Sequence, residues 1–226
     1  MVQFVGGRTD AGIGHVQQGY LEQVMRDHAE VRHPFHTAGA AAAQAAGAGV
    51  GAESRYRRLA GALVMAIVLL GCTGIPEGVE PVTGFDLQRY LGTWYEIARL
   101  DHRFERGLSR VTATYSLRED GSVKVVNRGF DADDGDWNEA VGTAYFIGDR
   151  DVGRLKVSFF GPFYGAYNVI SLDEDYRYAM VAGPNRDYLW ILARTPELDP
   201  GILRDLVERA GDLNFPVQDL IFVDHD

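Results

Sequence analysis

One thiol occurs in the 226 residues, that of Cys72. With no second cysteine it can close no disulfide within the chain. It is left to act as a nucleophile or to sit in a core as a small apolar group. Its neighbours favour the first. Residues 59–71 form an apolar run that ends in Gly71, and Arg55, Arg57 and Arg58 stand just before it. A basic flank, an apolar stretch of about a dozen residues and a small residue at the cleavage point are the layout of an export signal. The stretch falls short of the roughly 20 residues that cross a bilayer. Cleavage before Cys72 would leave its thiol and new amino group to be acylated, as in a bacterial lipoprotein signal. The working protein would then begin at Cys72 and hang from a membrane by lipid chains.

Little other reactive chemistry can be assembled. Four of the six histidines, His15, His28, His33 and His36, lie in residues 1–54 at spacings that match no compact ligand pattern. That segment also holds the low-complexity run 38–49. It is expected to be a non-native or disordered extension, with translation starting nearer Arg55. Residues 55–71 are then the signal peptide, 72–82 a tether and 83–226 one domain. From residue 72 onward only His102 and His225 remain, so neither a His/Cys metal site nor a Cys–His nucleophile pair is expected, and no cofactor is implied. Acyl transfer needs an activated nucleophile beside a base, and no G-x-S-x-G elbow is present. His102 and Glu105 could act together, but an exposed loop is the simpler reading. Asp131, Asp133, Asp134 and Asp136 lack the distal glutamate of a calcium loop and read as a solvated hairpin turn.

The chain carries 22 basic and 32 acidic residues, of which six and five fall in residues 1–71, leaving 16 against 27 afterwards. Such a surface repels phosphates, which disfavours nucleic acid as a partner. It also lacks the basic cluster that grips anionic head groups, so membrane attachment falls to the acyl chains.

The elements that position these groups are mostly strands. Residues 85–91 give a helical turn. Alternating runs follow at 92–100, 111–117, 123–130, 140–147, 155–160, 166–172, 178–182 and 188–193, separated by Asp-Gly and Gly-Pro punctuation. There is no alternation with helices. Eight antiparallel strands in up-and-down order close most economically into a barrel, which removes exposed edges. Asp199-Pro200 then starts a helix, with Ile202, Leu203, Leu206, Val207 and Ala210 on one stripe and Gly211 at its end. It should pack outside the barrel. Residues 220–223 could add a short ninth strand. The class is thus all-β, an eight-stranded barrel with one C-terminal helix.

Several of these residues carry a family pattern. Gly92-Thr93-Trp94-Tyr95 after the helical turn matches the G-x-W motif of lipocalins, and Arg194 matches their third motif. Glu174-Asp175-Tyr176 is a weak version of the second, without its threonine. Residues 90–99, 101–107, 156–165 and 186–192 resemble the bacterial lipocalins that are outer-membrane lipoproteins, and their animal relative apolipoprotein D. The resemblance implies a lipocalin barrel in which Trp94 plugs the closed end and Arg194 lies across its ring. Gly92, Trp94 and Arg194 are therefore structural. It implies a carrier of fatty acids or lysophospholipids that stores or transports lipid in the envelope. Attachment would be to the outer membrane, facing the periplasm, since Thr73 is not the aspartate associated with inner-membrane retention. The rival class is a lipocalin-fold enzyme acting on a lipid or isoprenoid. A homodimer is compatible with the resemblance, with Phe104, Phe160, Phe163 and Tyr164 either lining the rim or meeting a second copy.

Strand parity selects the pocket. Side chains alternate across a strand, so Trp94, Glu96 and Ala98 share a face, as do Trp190, Leu192 and Arg194. With Arg194 inward, Trp190 is inward too and nearer the mouth. Parity groups Tyr115 with Val111 and Ala113, Asn127 with Val123 and Val125, Phe159 with Leu155 and Val157, and Tyr167 with Val169. Apolar walls with sparse polar tips suit a lipid-like ligand. The candidate ligand contacts are Tyr115, Asn127, Phe159, Tyr167 and Trp190; the resemblance to apolipoprotein D supports Tyr115, Asn127, Tyr167 and Trp190.

Overall fold

The computed structural model describes residues 73–160 and 162–226. The extension, the signal segment and Cys72 lie outside the described residues. The elements run α1 (Leu87–Tyr90), β1 (Gly92–Arg99), β2 (Leu108–Leu117), β3 (Val123–Asp131), β4 (Asp136–Phe146), β5 (Arg154–Phe160), β6 (Phe163–Leu172), β7 (Tyr178–Ala182), β8 (Leu189–Ala193), α2 (Pro200–Asp212), a 3-10 turn (Val217–Asp219) and β9 (Ile221–Phe222). Each of β2 to β8 pairs antiparallel with its neighbours, β1 pairs with both β8 and β2, and the sheet closes on itself. This is the up-and-down barrel the spacing predicts. β2, β4 and β6 begin three or four residues before the expected starts. Their added arms form ladders such as Phe130 on Trp137 and Phe160 on Phe163. Those arms are largely exposed, so burial leaves no alternation in them for a reader of the sequence to find.

Two cores result. Inside the barrel, Phe85, Tyr90, Trp94, Tyr115, Val123, Val125, Leu155, Val169, Val181 and Leu192 are buried together. Outside it, α2 lays Leu203, Leu206, Val207 and Ala210 on the outer faces of Ala98, Met180, Ile191 and Ala193. Burying each aliphatic side chain contributes roughly 1.5–3 kcal/mol, which is what holds the helix. The Asp199 carboxylate caps α2 by accepting from the Gly201 and Ile202 amides, with Pro200 in the first turn. The helix runs past Gly211 to Asp212. The left-handed residue that ends it is Asn214, with φ 62°, beyond which the Phe215 amide donates to the Ala210 carbonyl.

Residues 73–82 do not hang free. Asn168 donates to the Gly74 carbonyl, Arg186 to that of Glu77, and Val82 pairs through its backbone with Val169 and Gly153. Val79 is buried under the outer core. The described chain is thus held to the barrel wall from Gly74 onward.

The closed end is sealed by one stack. Trp94 is fully buried, its indole N–H donates to the Tyr90 carbonyl at 2.8 Å, and the Arg194 guanidinium lies 3.9 Å above its ring. Arg194 also donates to the carbonyls of Arg89, Thr93 and Tyr176, at 2.7, 2.9 and 3.2 Å. It thereby ties α1, the start of β1 and the β6–β7 loop together. Gly92 sits at φ 96°, and a Cβ there would meet Arg194 at 3.4 Å, so the motif needs glycine. The weak second motif joins the same knot: the Tyr176 hydroxyl accepts from the Asp86 amide, and Arg89 donates to the Glu174 carbonyl. Arg194→Ala should cost about 3 kcal/mol from the lost cation–π contact and charged hydrogen bonds. Urea unfolding measures this, and a loss under 1 kcal/mol would show the knot to be redundant.

Candidate ligand-binding site

Above the plug, three phenols make a floor. The Tyr167 hydroxyl bonds those of Tyr90 and Tyr115 at 2.7 and 2.8 Å. Burial raises the pKa of all three, so they stay neutral. Tyr115 and Tyr167, expected as separate polar tips, are thus joined with Tyr90, a residue of α1 that strand parity could not select.

The wall above the floor is only partly covered. Ala113, Asn127, Val157, Phe159 and Trp190 point inward by register, yet solvent still reaches them. Asn127 stands opposite Ala113 and Ala140, and its buried Oδ1 meets no partner among the described residues. The Phe159 ring passes so close over Gly142 that a Cβ there would lie 2.9 Å from it. All five expected contact residues therefore face one interior, two of them in its floor and three in its wall.

The face shared by Trp94, Glu96 and Ala98 breaks at a bulge in β1. Glu96 pairs with Leu192, but Ala98 pairs with Ile191 and Arg99 with Trp190. Ala98 thus turns out to the helix core, and Arg99 turns in. Opposite charges three residues apart lie on opposite faces of a regular strand; the extra residue brings them together. Arg99, 1 % exposed, donates to the Glu96 carboxylate at 2.6 Å and to the carbonyls of Glu105 and Leu108.

The 100–107 loop is the second correction. Expected as exposed, it folds into the mouth, where His102 and Glu105 are 4 % and 6 % exposed. The His102 ring stacks on Phe104 and Tyr188 and tilts against Trp190. Glu105 accepts the Trp190 indole N–H at 3.1 Å. A mixed run such as Asp101-His102-Arg103-Phe104-Glu105-Arg106 reads as solvated because its buried and exposed members share no period. Desolvation and Arg99 push the His102 pKa down to about 4, so the ring is neutral. Burial and the nearby Glu105 push Glu96 up to about 8, and burial raises Glu105 as well. The two carboxyls therefore share one proton near neutral pH, and the remaining charge balances Arg99.

The rim is aromatic. Phe104, Phe160 and Phe163 are 63, 80 and 73 % exposed at the open ends of the hairpins, while Tyr164 is partly covered beside Lys156 and Tyr145. A separate open cleft of about 380 Å³ lies at the closed end between Phe85, Leu117, Phe146 and Arg150. No group of three or more metal-ligating side chains occurs among the described residues. Asp131 turns its carboxylate to the Asp133 and Asp134 amides within its hairpin.

Residues 85–225 match the lipocalin-like domain. The chain is 53 % identical over 171 residues to the outer membrane lipoprotein Blc of Escherichia coli (strain K12), covering 75 % of this chain and 97 % of that protein. It is 53 % identical over 162 residues to the protein of that name from Vibrio cholerae, covering 71 % and 95 %. Bovine apolipoprotein D is 34 % identical over 148 residues, covering 62 % and 77 %. Among solved structures, insecticyanin from the tobacco hornworm Manduca sexta superposes with a TM-score of 0.56 at 21 % identity, covering 68 % of this chain and 87 % of that one.

The unfolded chain releases the Glu96 proton near 4.5 and the folded one near 8, so the folded state holds the extra proton between those values. Stability is then full below about pH 4.5 and is lost as pH rises toward 8. Above pH 6.5 His102 no longer opposes this. The urea midpoint should fall from pH 6.5 to 8.5, and Glu96→Gln should flatten that fall; equal slopes would refute the assignment. Gly142→Ala should strain the β4–β5 ladder, its Cβ lying 2.8 Å from the Ser158 carbonyl and 2.9 Å from the Phe159 ring, and so lower the urea midpoint; an unchanged midpoint would show that the wall gives way.

Proposed function

The chain belongs to the lipocalin-like family, and from that premise we propose that it holds one long-chain lipid, a fatty acid or a lysophospholipid, with the tail in the barrel. The observation that carries this reading is the partly covered inward wall of Asn127, Val157, Phe159 and Trp190 above a neutral tyrosine floor. An acyl tail needs no hydrogen bonds there. About a dozen buried methylenes contribute roughly 9 kcal/mol, against which stand the costs of association. The mouth, with Glu105, Asn127 and the Trp190 indole, offers the polar groups a head group needs.

The proposed setting is the cell envelope. Cys72, acylated after cleavage of the signal, would hold the barrel to the outer membrane on its periplasmic side. The likeness to two proteins named outer membrane lipoprotein supports this placement. The role that follows is storage or transport of membrane lipid. A second copy docking on the exposed Phe104, Phe160 and Phe163 would fit the same rim.

The delipidated chain carrying Cys72→Ser should bind a long-chain fatty acid or lysophospholipid with a Kd in the micromolar range or tighter, read by tryptophan quenching and calorimetry. Absence of saturable binding to either would end the proposal. Trp190→Ala should weaken binding about tenfold, the share of one aromatic wall. Cells fed labelled palmitate should label the full chain and not the Cys72→Ser variant.

A further inference from the structure

We infer that the lumen selects amphiphiles with an ammonium head over those with a carboxylate head, and that Glu105 in the mouth loop is the group that meets the cation. This rests on the reading that the barrel holds a lipid, and it adds which head group the mouth favours.

The charged side chains facing the lumen, among the described residues, are Glu96, Arg99 and Glu105; His102 beside them is kept neutral. Arg99 is already committed, with Nη1 on Glu96 and Nη2 on two backbone carbonyls. Its Nε has no partner but is covered, out of a ligand's reach. Arg194 lies over the plug, bonded to three carbonyls. A ligand carboxylate would thus find no free cation among the buried groups of the lumen and would sit beside two other carboxyls, where like charge and burial both penalise it; the nearby cation of the mouth loop, Arg103, is solvent-exposed. An ammonium meets the opposite conditions. Glu105 is 6 % exposed, and only its Oε2 is bonded, to Trp190. Its Oε1 has no hydrogen-bond partner among the described residues. Trp190 and Phe159 add aromatic faces that attract cations, and the Asn127 Oδ1, unpaired but covered, is reached only if its amide turns. Asn127 can turn its amide to suit either head, so the discrimination falls to the carboxyls.

The proton count follows. In the empty barrel Glu96 and Glu105 share one proton against Arg99. When an ammonium docks beside Glu105, its charge disfavours the proton held by the carboxyl pair, and that shared proton leaves to solvent. A fatty acid has to enter as the neutral acid, taking one proton from solvent.

The test uses the full chain with Cys72→Ser and dodecylamine, dodecanol and laurate below their aggregation limits, at pH 7. Salt of about 0.15 M screens the surface charge. Dodecylamine should displace a bound fluorescent lipid at concentrations at least tenfold below laurate, with dodecanol between them. Calorimetry in buffers of different ionisation heat should show proton release with the amine and proton uptake with laurate. Glu105→Gln, which keeps an acceptor for Trp190, should cut the amine-to-alkanol affinity ratio at least fivefold. Laurate binding as tightly as dodecylamine overturns the inference, as does an unchanged ratio in Glu105→Gln. If that variant does not fold, the proton count in the parent chain decides alone, and the absence of release with the amine overturns it. Failure of all three ligands to bind would remove the lipid-carrier reading itself, a distinct result from binding without preference.

Discussion

Of the two ends of this eight-stranded barrel, one is shut. A single contact does this, the half-buried Arg194 guanidinium 3.9 Å above the buried Trp94 ring. Both residues are costly to bury alone. Trp94 needs an acceptor for its indole N–H and finds the Tyr90 carbonyl. Arg194 needs partners for its N–H groups and finds carbonyls on α1, β1 and the β6–β7 loop. Each demand is met by backbone from a different part of the chain, so the contact fixes the first strand, the preceding helical turn and a distant loop at once. The neutral tyrosine floor rests directly on that stack, since Tyr90 packs on Trp94 with ring centroids 4.7 Å apart. A cup with a firm bottom is the condition for everything above it.

The other end is built on opposite terms. The closed end pairs its cation with carbonyls and an aromatic ring; the mouth buries two carboxyls with one guanidinium. Such a cluster gains little stability, because desolvation offsets most of the attraction. Its effect is positional. Arg99 reaches the carbonyls of Glu105 and Leu108, which pins the 100–107 loop inward and sets Glu105 against Trp190. The β1 bulge that turns Arg99 inward also turns Ala98 outward under α2. One irregular residue thus serves both cores, and the loop over the mouth is coupled through β1 to the helix outside.

The C-terminal segment and residues 73–82 close the remaining gaps. β9 pairs with the upper end of β1 at Ala98 and Arg99, and the Asp224 carbonyl accepts from the Arg110 amide on β2. The C-terminal segment thereby bridges the place where β1 and β2 part. The segment before α1 is stitched to Asn168, Gly153 and Arg186.

By itself the sequence determined the barrel, its strand order and the external helix, and the resemblance to lipocalins implied the plug. The signals of the first three are local: period-two alternation, turn residues and an Asp-Pro cap. It also determined which of Tyr115, Asn127, Phe159, Tyr167 and Trp190 face one interior, because parity holds wherever a strand is regular. The tertiary structure alone decided what those residues do there. Tyr90 enters the floor from a helix with no strand parity. Glu96 and Arg99 come together only because a bulge shifts the phase, and His102 and Glu105 are buried by contacts with Tyr188 and Trp190, more than 80 positions away. Alternation reports burial relative to a neighbouring residue along the chain; it carries no record of a phase slip or of a loop folding back across a barrel, and the polar chemistry of the mouth depends on both.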